Sequence, residues 1–306
     1  MAAVLVTQGL RKRYGQVQAL QGVDLEVQRG EVFGFLGPNG AGKTTFTKCV
    51  TGFVRPDGGR VEVLGIDALR HPTRVAHHVG LVPDQYDFYS NLTGRQHLEF
   101  YGRLLGMGRR ERRQRIEEVL ALVRMDERSD SRVKTYSHGM KQRICIAQAM
   151  LHRPGLVIFD EPTNGLDPKG AYELRQMIRG LAKDGTTVFL NSHVLNEVQE
   201  TCQRVAILDK GRVLRVGRVD DLRREAGGGV RIRLLRPSKV HLDAASAVAG
   251  DGVRLLGDTL VCPVGEERTP DLVAALVRAG ARIFSVSPDL ASLESVFLEL
   301  TSEGNA

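Results

Sequence analysis

From the N-terminus to about Leu222, short apolar runs bounded by glycines alternate with stretches whose apolar residues recur at helical spacing. That alternation predicts strands and helices interleaved in an α/β domain over residues 1–222. The clearest strand candidates, Val32 to Leu36, Leu156 to Phe159 and Thr187 to Leu190, are apolar at nearly every position rather than every second one. A strand buried on both faces of a parallel sheet reads this way. Next comes RREAGGG, which predicts a charged and then flexible linker over 223–229. Beyond it the pattern predicts a strand (Val230 to Leu235), a helix (Leu242 to Ala249) and strands Val253 to Leu256 and Thr259 to Val264 joined by Gly257-Asp258. A helix (Pro270 to Ala279), a strand (Arg282 to Val286) and a last helix (Leu290 to Leu300) follow. The order βαββαβα predicts a small α+β, ferredoxin-like domain over 230–306.

The length of 306 residues agrees with two cores, one large and one small. No apolar run approaches the ~20 residues that span a bilayer. The opening MAAVLVTQGLRKRYG also lacks the basic-then-apolar pattern of a secretory signal. The expectation is a cytoplasmic protein. Cys49, Cys145, Cys202 and Cys262 stand far apart without a CxxC pair, so they are expected to be reduced and mostly buried. The formal charge of +7 raises the question of an anionic partner, with Arg109, Arg110, Arg112, Arg113 and Arg115 as its densest run. Glu111, Glu117 and Glu118 interleave with those arginines, which is the pattern of a solvated helix face. No nucleic-acid partner is expected.

The sharpest chemistry is Gly37-Pro38-Asn39-Gly40-Ala41-Gly42-Lys43-Thr44-Thr45, which fits GxxxxGK[ST] between a predicted strand and a helix. Glycines let successive backbone N–H groups close on phosphate oxygens, and the following helix start adds its positive end. Lys43 is expected to reach the β and γ phosphates and Thr44 to offer its hydroxyl to Mg²⁺. A carboxylate must help hold that ion. It is supplied by the run Leu156-Val157-Ile158-Phe159-Asp160-Glu161, a buried strand ending in two acids. Ligands collect at strand carboxyl ends in such sheets. Asp160 is expected to hold Mg²⁺, and Glu161 to orient and deprotonate an attacking water.

Those two elements specify a P-loop NTPase, and further motifs narrow the class. Tyr136-Ser137-His138-Gly139-Met140-Lys141-Gln142-Arg143 resembles the signature motif of the ABC ATPases, and Pro162-Thr163-Asn164-Gly165-Leu166-Asp167-Pro168 resembles their D-loop. Asn191-Ser192-His193 is similar to their switch histidine, and Tyr14 in Arg13-Tyr14-Gly15 to the aromatic that stacks on adenine. The resemblance implies an ABC ATPase fold with a helical subdomain at about 86–152, and ATP with Mg²⁺ as ligands. It implies that Ser137, Gly139 and Met140 act on the γ-phosphate of a second subunit, in a homodimer or heterodimer. It also implies that His193 bonds the γ-phosphate or the attacking water. Two motifs depart from the family pattern. The signature reads Ser137-His138-Gly139-Met140 where Ser-Gly-Gly-Gln is usual, keeping Ser137 and Gly139, and Asp84 follows Pro83 where glutamine or glutamate is usual, with Gln85 one residue on. Asp84 and Gln85 are both candidates for the Q-loop contact to Mg²⁺.

Of the ten phenylalanines and six tyrosines, Tyr86, Phe88, Tyr89, Phe100 and Tyr101 crowd just after this Q-loop. They predict an apolar groove for a partner helix. The tail Leu290 to Thr301 resembles the ending of stand-alone ATPase subunits of bacterial exporters. The reading is therefore an ATPase subunit coupled to a separate membrane-spanning permease, peripheral on the inner face of the membrane. Rival readings are a soluble ABC ATPase of ribosomes or DNA and a weakly hydrolysing nucleotide sensor. The single ATPase domain argues against the first, and Glu161 with His193 argues against the second.

Overall fold

A computed structural model describes residues 3–303. The chain divides between Gly217 and Arg218 into two compact units. In the first, strands β1 (Ala3–Tyr14) and β2 (Val17–Gln28) make an antiparallel hairpin. Strand β3 (Val32–Leu36) then leads into helix α1 (Lys43–Val50). Strands β4 (Gly58–Val63) and β5 (Ile66–Asp67), helix α2 (Pro72–Ala76) and strand β6 (Val79–Val82) come next. Three helices follow in succession, α3 (Gly94–Leu104), α4 (Arg109–Leu122) and α5 (His138–Met150). The unit closes with β7 (Leu156–Asp160), α6 (Pro168–Lys183), β8 (Thr187–Ser192), α7 (Leu195–Thr201), β9 (Arg204–Asp209) and β10 (Arg212–Arg218).

Two sheets result, one ordered β2-β1-β4-β5 and the other β10-β9-β3-β8-β7-β6. In the second, β9, β3, β8, β7 and β6 run parallel. The core joins both sheets through α1: Phe33, Phe35, Phe46 and Phe189 are fully buried and their rings lie 4.6–5.9 Å apart. Every position of β3, β7 and β8 is buried, as a strand covered on both faces requires. Register then fixes where the chemistry falls. Leu36 pairs with Ser192, Asp160 with Asn191, and Val82 with Phe159, so four parallel strands end level.

Helices α3, α4 and α5 pack on one another around Leu98, Ile116, Val119, Leu120 and Ile144. A capping box between Thr93 and Gln96 starts α3. The arginine run lies on α4 and is only partly a solvated face. Arg109, Arg110 and Arg113 are exposed, but Arg112 is buried with its Nη2 2.9 Å from Glu99 Oε1. Arg115 donates to the carbonyls of Met150 and Leu151, at 2.7 and 3.0 Å, tying α4 to the end of α5. The spacing of apolar residues did not reveal this, because an arginine that spends its donors on buried carbonyls looks in sequence like one facing water.

The second unit contains α8 (Val219–Gly227), β11 (Gly229–Leu235), α9 (Lys239–Ala249), β12 (Arg254–Leu256), β13 (Thr259–Cys262), α10 (Thr269–Arg278), β14 (Arg282–Asp289) and α11 (Leu293–Glu303). Its antiparallel sheet is ordered β12-β13-β11-β14, with α9 and α10 in the crossovers, which is the ferredoxin-like arrangement. Val230, Ile232 and Leu234 alternate inward along β11 onto Ala245, Leu272 and Leu276. The expected linker over 223–229 is corrected. Arg223–Gly227 finish α8, whose Val219 and Leu222 are buried, and Gly228 ends the helix at φ 60°. The Arg223 carbonyl accepts from the Ala291 amide at 3.0 Å, and the guanidinium returns a bond to the Ala291 carbonyl. In sequence, a charged helix with one buried stripe and a glycine stop has the composition of a linker.

Candidate functional site

The phosphate loop joins β3 to α1, and two of its glycines are enforced by space. A Cβ on Gly37 would sit 2.4 Å from the Leu208 carbonyl oxygen, and one on Gly42 would sit 2.4 Å from that of Ala19. Gly42 also has φ 111°, a left-handed conformation closed to most side chains. The loop and its surroundings line a cleft of about 610 Å³ that includes Pro38, Asn39, Gly40, Gly42, Lys43, Thr44 and Thr45. Gly37 and Ala41 are buried behind that surface. The Lys43 ammonium is buried and donates to the Gly37 carbonyl at 2.6 Å, inside the curve of the loop.

Opposite the loop, Asp160, Glu161 and His193 come from the ends of β7 and β8. Glu161 is held from two sides. Its Oε1 lies 3.3 Å from Lys43 Nζ, and its Oε2 accepts from the His193 amide at 3.2 Å and from His193 Nδ1 at 2.7 Å. Glu161 also adopts φ 50°, a conformation that costs a non-glycine residue about 1–2 kcal/mol. Backbone strain of this kind collects at functional sites. Asp160 is buried and accepts from Asn191 Nδ2 at 3.2 Å; that amide also donates to Thr47 Oγ1 at 2.6 Å. Burial pushes the Asp160 carboxyl above its ordinary range, the Asn191 bond opposes this, and Glu161 and Asp84 push it further up.

These groups fit ATP and magnesium. The cradle is built from enforced glycines, and a dication would offset the clustered acids that raise Asp160. Asn191 Oδ1 is buried beside Asp160 and has no hydrogen-bond partner among the described residues, as a carbonyl facing a hydrated ion would be. Among the described residues no three His, Cys, Asp or Glu side chains could hold a metal by themselves. Mg²⁺ takes one or two carboxylates plus phosphate and water, and Asp160 and Asp84 are carboxylates that line this cleft.

The remaining expected residues divide. Asp84 lines the cleft, whereas Gln85 is exposed and does not. Tyr14 is 45% exposed beside the Lys12 ammonium and is not among the cleft's lining residues; Val17, Gln18 and Ala19 are. Ser137, Gly139 and Met140 also lie outside it. Ser137 caps α5, its Oγ accepting from the Met140 amide at 3.3 Å, which leaves its O–H free to donate. Among the five clustered aromatics, Tyr89 and Phe100 are exposed and meet edge to face at 5.5 Å, while Tyr86, Phe88 and Tyr101 are half-buried. The single groove expected of all five is therefore two exposed rings on a half-buried stack. All four cysteines are buried free thiols, and burial pushes Cys145 up to about 12, so it is unreactive.

Sequence reasoning missed Glu197. It is buried on α7 and its Oε2 accepts from Ser192 Oγ at 2.8 Å and Thr163 Oγ1 at 3.0 Å, binding the D-loop to the strand that carries His193. No motif marks it, since a glutamate on a polar helix normally faces water. Asn191 is signalled in the sequence by its place, a polar residue directly after the apolar run Val188 to Leu190.

A strand, a glycine loop and a helix facing acids at neighbouring strand ends define a P-loop nucleotide-binding fold. The ABC transporter family profile matches residues 20–164. The chain is 38% identical to the daunorubicin resistance ATP-binding protein DrrA3 of Streptomyces coeruleorubidus, over 99% of this chain and 98% of that one. Among solved structures it is similar to an ATP-binding subunit of an ABC transporter, with TM-score 0.66 and 31% identity over 73% of this chain and 93% of that one. It is also similar to the dimeric ATP-binding cassette MJ0796 bound to ADP and Pi, with TM-score 0.64 and 26% identity over 70% of this chain and 98% of the other. The chain belongs to the ATP-binding subunits of the ABC transporter family.

Proposed function

We propose that this chain hydrolyses Mg-ATP at a cleft completed by a second ATPase subunit, and that closure of the pair drives a separate membrane-spanning permease, in the direction of export. The observation that carries the reading is the grip of Lys43 and His193 on Glu161 at the mouth of the phosphate loop. From there Glu161 can take a proton from a water directed at a γ-phosphate. Lys43, Gly40 and Gly42 would hold the phosphates, and Thr44, Asp160 and Asp84 would hold Mg²⁺. Bound Mg²⁺ would neutralise charge on the phosphate oxygens. A carboxylate oxygen only accepts, so His193 Nδ1 carries the hydrogen and Nε2 of the neutral ring is an acceptor. Nε2 thus suits the attacking water, whereas a bond to phosphate requires the protonated ring.

The signature residues Ser137, Gly139 and Met140 do not line the cleft of their own phosphate loop. A site that uses both needs two chains, and the likeness to a dimeric cassette supports that arrangement. Exposed Tyr89 and Phe100 offer aromatic anchors for a permease helix. Among the described residues no helix is long and apolar enough to cross a membrane. The resemblance to a daunorubicin resistance ATP-binding protein and the exporter-like tail support export, with the subunit on the cytoplasmic face. Steady-state hydrolysis of Mg-ATP by the purified chain, against Glu161→Gln, tests the reading. Equal rates in the two would overturn it.

A further inference from the structure

Two of the positions that depart from the family pattern, His138 and Asp84, meet at one residue. His138 Nε2 lies 3.0 Å from the Asn164 carbonyl oxygen, and Asn164 Nδ2 donates to Asp84 Oδ1 at 2.9 Å. A carbonyl only accepts, so Nε2 carries the hydrogen. The same imidazole stacks on Tyr86, two residues after Asp84, with centroids 6.0 Å apart and planes 27° from parallel. It also lies close over Gly165, where an added Cβ would be 3.3 Å from Nε2. Asp84 and Asn164 line the cleft and His138 does not. Glycine at position 138 could make none of these contacts.

We propose that His138 is a positioning residue that ties the start of α5 to both cleft-lining segments of its own chain. The bond from His138 fixes the Asn164 backbone. The Asn164 amide then holds Asp84, and Tyr86 against the imidazole closes the loop of contacts. A nucleotide that displaces Asp84 therefore shifts the helix end carrying Ser137, the group presented to the other subunit. His138 and Asp84 are thus coupled through Asn164, which bonds the histidine by its carbonyl and the aspartate by its amide. This inference rests on the ATPase reading above.

The test is a double-mutant cycle on Mg-ATP hydrolysis by the full chain, using His138→Ala, Asp84→Ala and both together, repeated in an Asn164→Ala background. His138→Ala is expected to lower kcat by about tenfold while ADP affinity, set by the phosphate loop of one chain, stays within about twofold. The double variant should be no slower than the slower single one, and the coupling should vanish once Asn164 has no side chain. His138→Gln, whose amide can donate to the same carbonyl, should keep at least about half the parent rate. Losses that multiply independently, ADP affinity that falls with kcat, or His138→Gln as slow as His138→Ala would each overturn the inference while the ATPase reading stands. A parent chain that does not hydrolyse Mg-ATP would overturn both.

Discussion

His193 holds one oxygen of Glu161 twice, through its ring Nδ1 at 2.7 Å and its backbone amide at 3.2 Å. The other oxygen faces Lys43, so the carboxylate cannot rotate without breaking a charged contact. A base positioned this way contributes roughly 10²–10⁴-fold in rate. Glu161→Gln should lose that factor in kcat and still bind ATP. Because His193 and Glu161 serve the same water, the loss in Glu161→Gln with His193→Ala should fall well short of the product of the two single losses. Single-turnover hydrolysis checks both, and single losses that multiply in the double variant would separate the two roles.

Asp160 bears on stability with the opposite sign to its function. Burial raises its folded pKa above the unfolded value, so its penalty is absent below the unfolded pKa and grows as pH rises through the folded one. Asp160→Asn should therefore melt at a higher temperature than the parent at neutral pH without Mg²⁺, and the difference should shrink towards pH 4. The same variant should lose ATPase activity. Calorimetry across pH reads the first expectation, and a variant less stable than the parent at neutral pH would refute it.

Glu197 is the buried acid that the catalysis does not use directly. Its carboxyl is raised chiefly by burial, with the Ser192 and Thr163 bonds opposing. Glu197→Ala would leave the buried Ser192 hydroxyl and the half-buried Thr163 hydroxyl without their acceptor, at a cost of about 1–3 kcal/mol. It should also slow hydrolysis, since Ser192 and Thr163 flank His193 and the D-loop. Glu197→Gln keeps an acceptor and removes a titrating group, so it should flatten the loss of stability as pH rises above the ordinary carboxylate range. Denaturant midpoints at several pH values measure both. Equal midpoints for Glu197→Ala and the parent would leave the residue without a structural role.

The legible parts of this molecule are those in which backbone pattern dictates chemistry. Wholly apolar runs marked β3, β7 and β8, and parallel pairing then required Lys43, Asp160 and His193 to meet at one sheet edge. The ferredoxin-like order was readable for the same reason, since inward positions alternate along β11. What could not be read depends on side-chain partners far apart in sequence. Arg115 and Glu197 look solvated until the carbonyls and hydroxyls that receive them are known. Whether Asp84 or Gln85 faces the cleft turned on where the chain bends after β6, which no periodicity in a four-residue strand determines.

Tyr89 is 60% exposed and Phe100 37%, and they stack edge to face at the surface of the helical region. Such rings serve as interface anchors, each worth ~2 kcal/mol or more when buried by a partner. Tyr89→Ala with Phe100→Ala should lower co-purification with the permease and transport by at least tenfold, with basal ATPase near that of the parent. Phe88→Ala differs, because Phe88 packs on His97 at 4.7 Å and its loss should also lower thermal stability. Unchanged assembly in the Tyr89 and Phe100 double variant would place the docking surface elsewhere.

Ser137 decides whether the cleft is shared. Its Oγ lone pair is used by the Met140 amide, but its O–H is free, and it stands at the start of a 13-residue helix whose unsatisfied N–H groups favour an anion. Lys43 lines the phosphate cleft and Ser137 of the same chain does not. Closing two chains head to tail would set Ser137 of each against the γ-phosphate held by Lys43 of the other. Mg-ATP with Glu161→Gln should then double the mass seen by light scattering, and ADP should not. Adding Ser137→Arg fills the helix end with a long side chain and removes the hydroxyl, so it should keep the chain monomeric while leaving ATP binding to the phosphate loop within about threefold, as expected for distant independent sites. A doubled mass that persists in the Ser137→Arg variant would mean that the chains associate through some other surface, and a mass unchanged by ATP with Ser137 intact would mean that closure needs the permease.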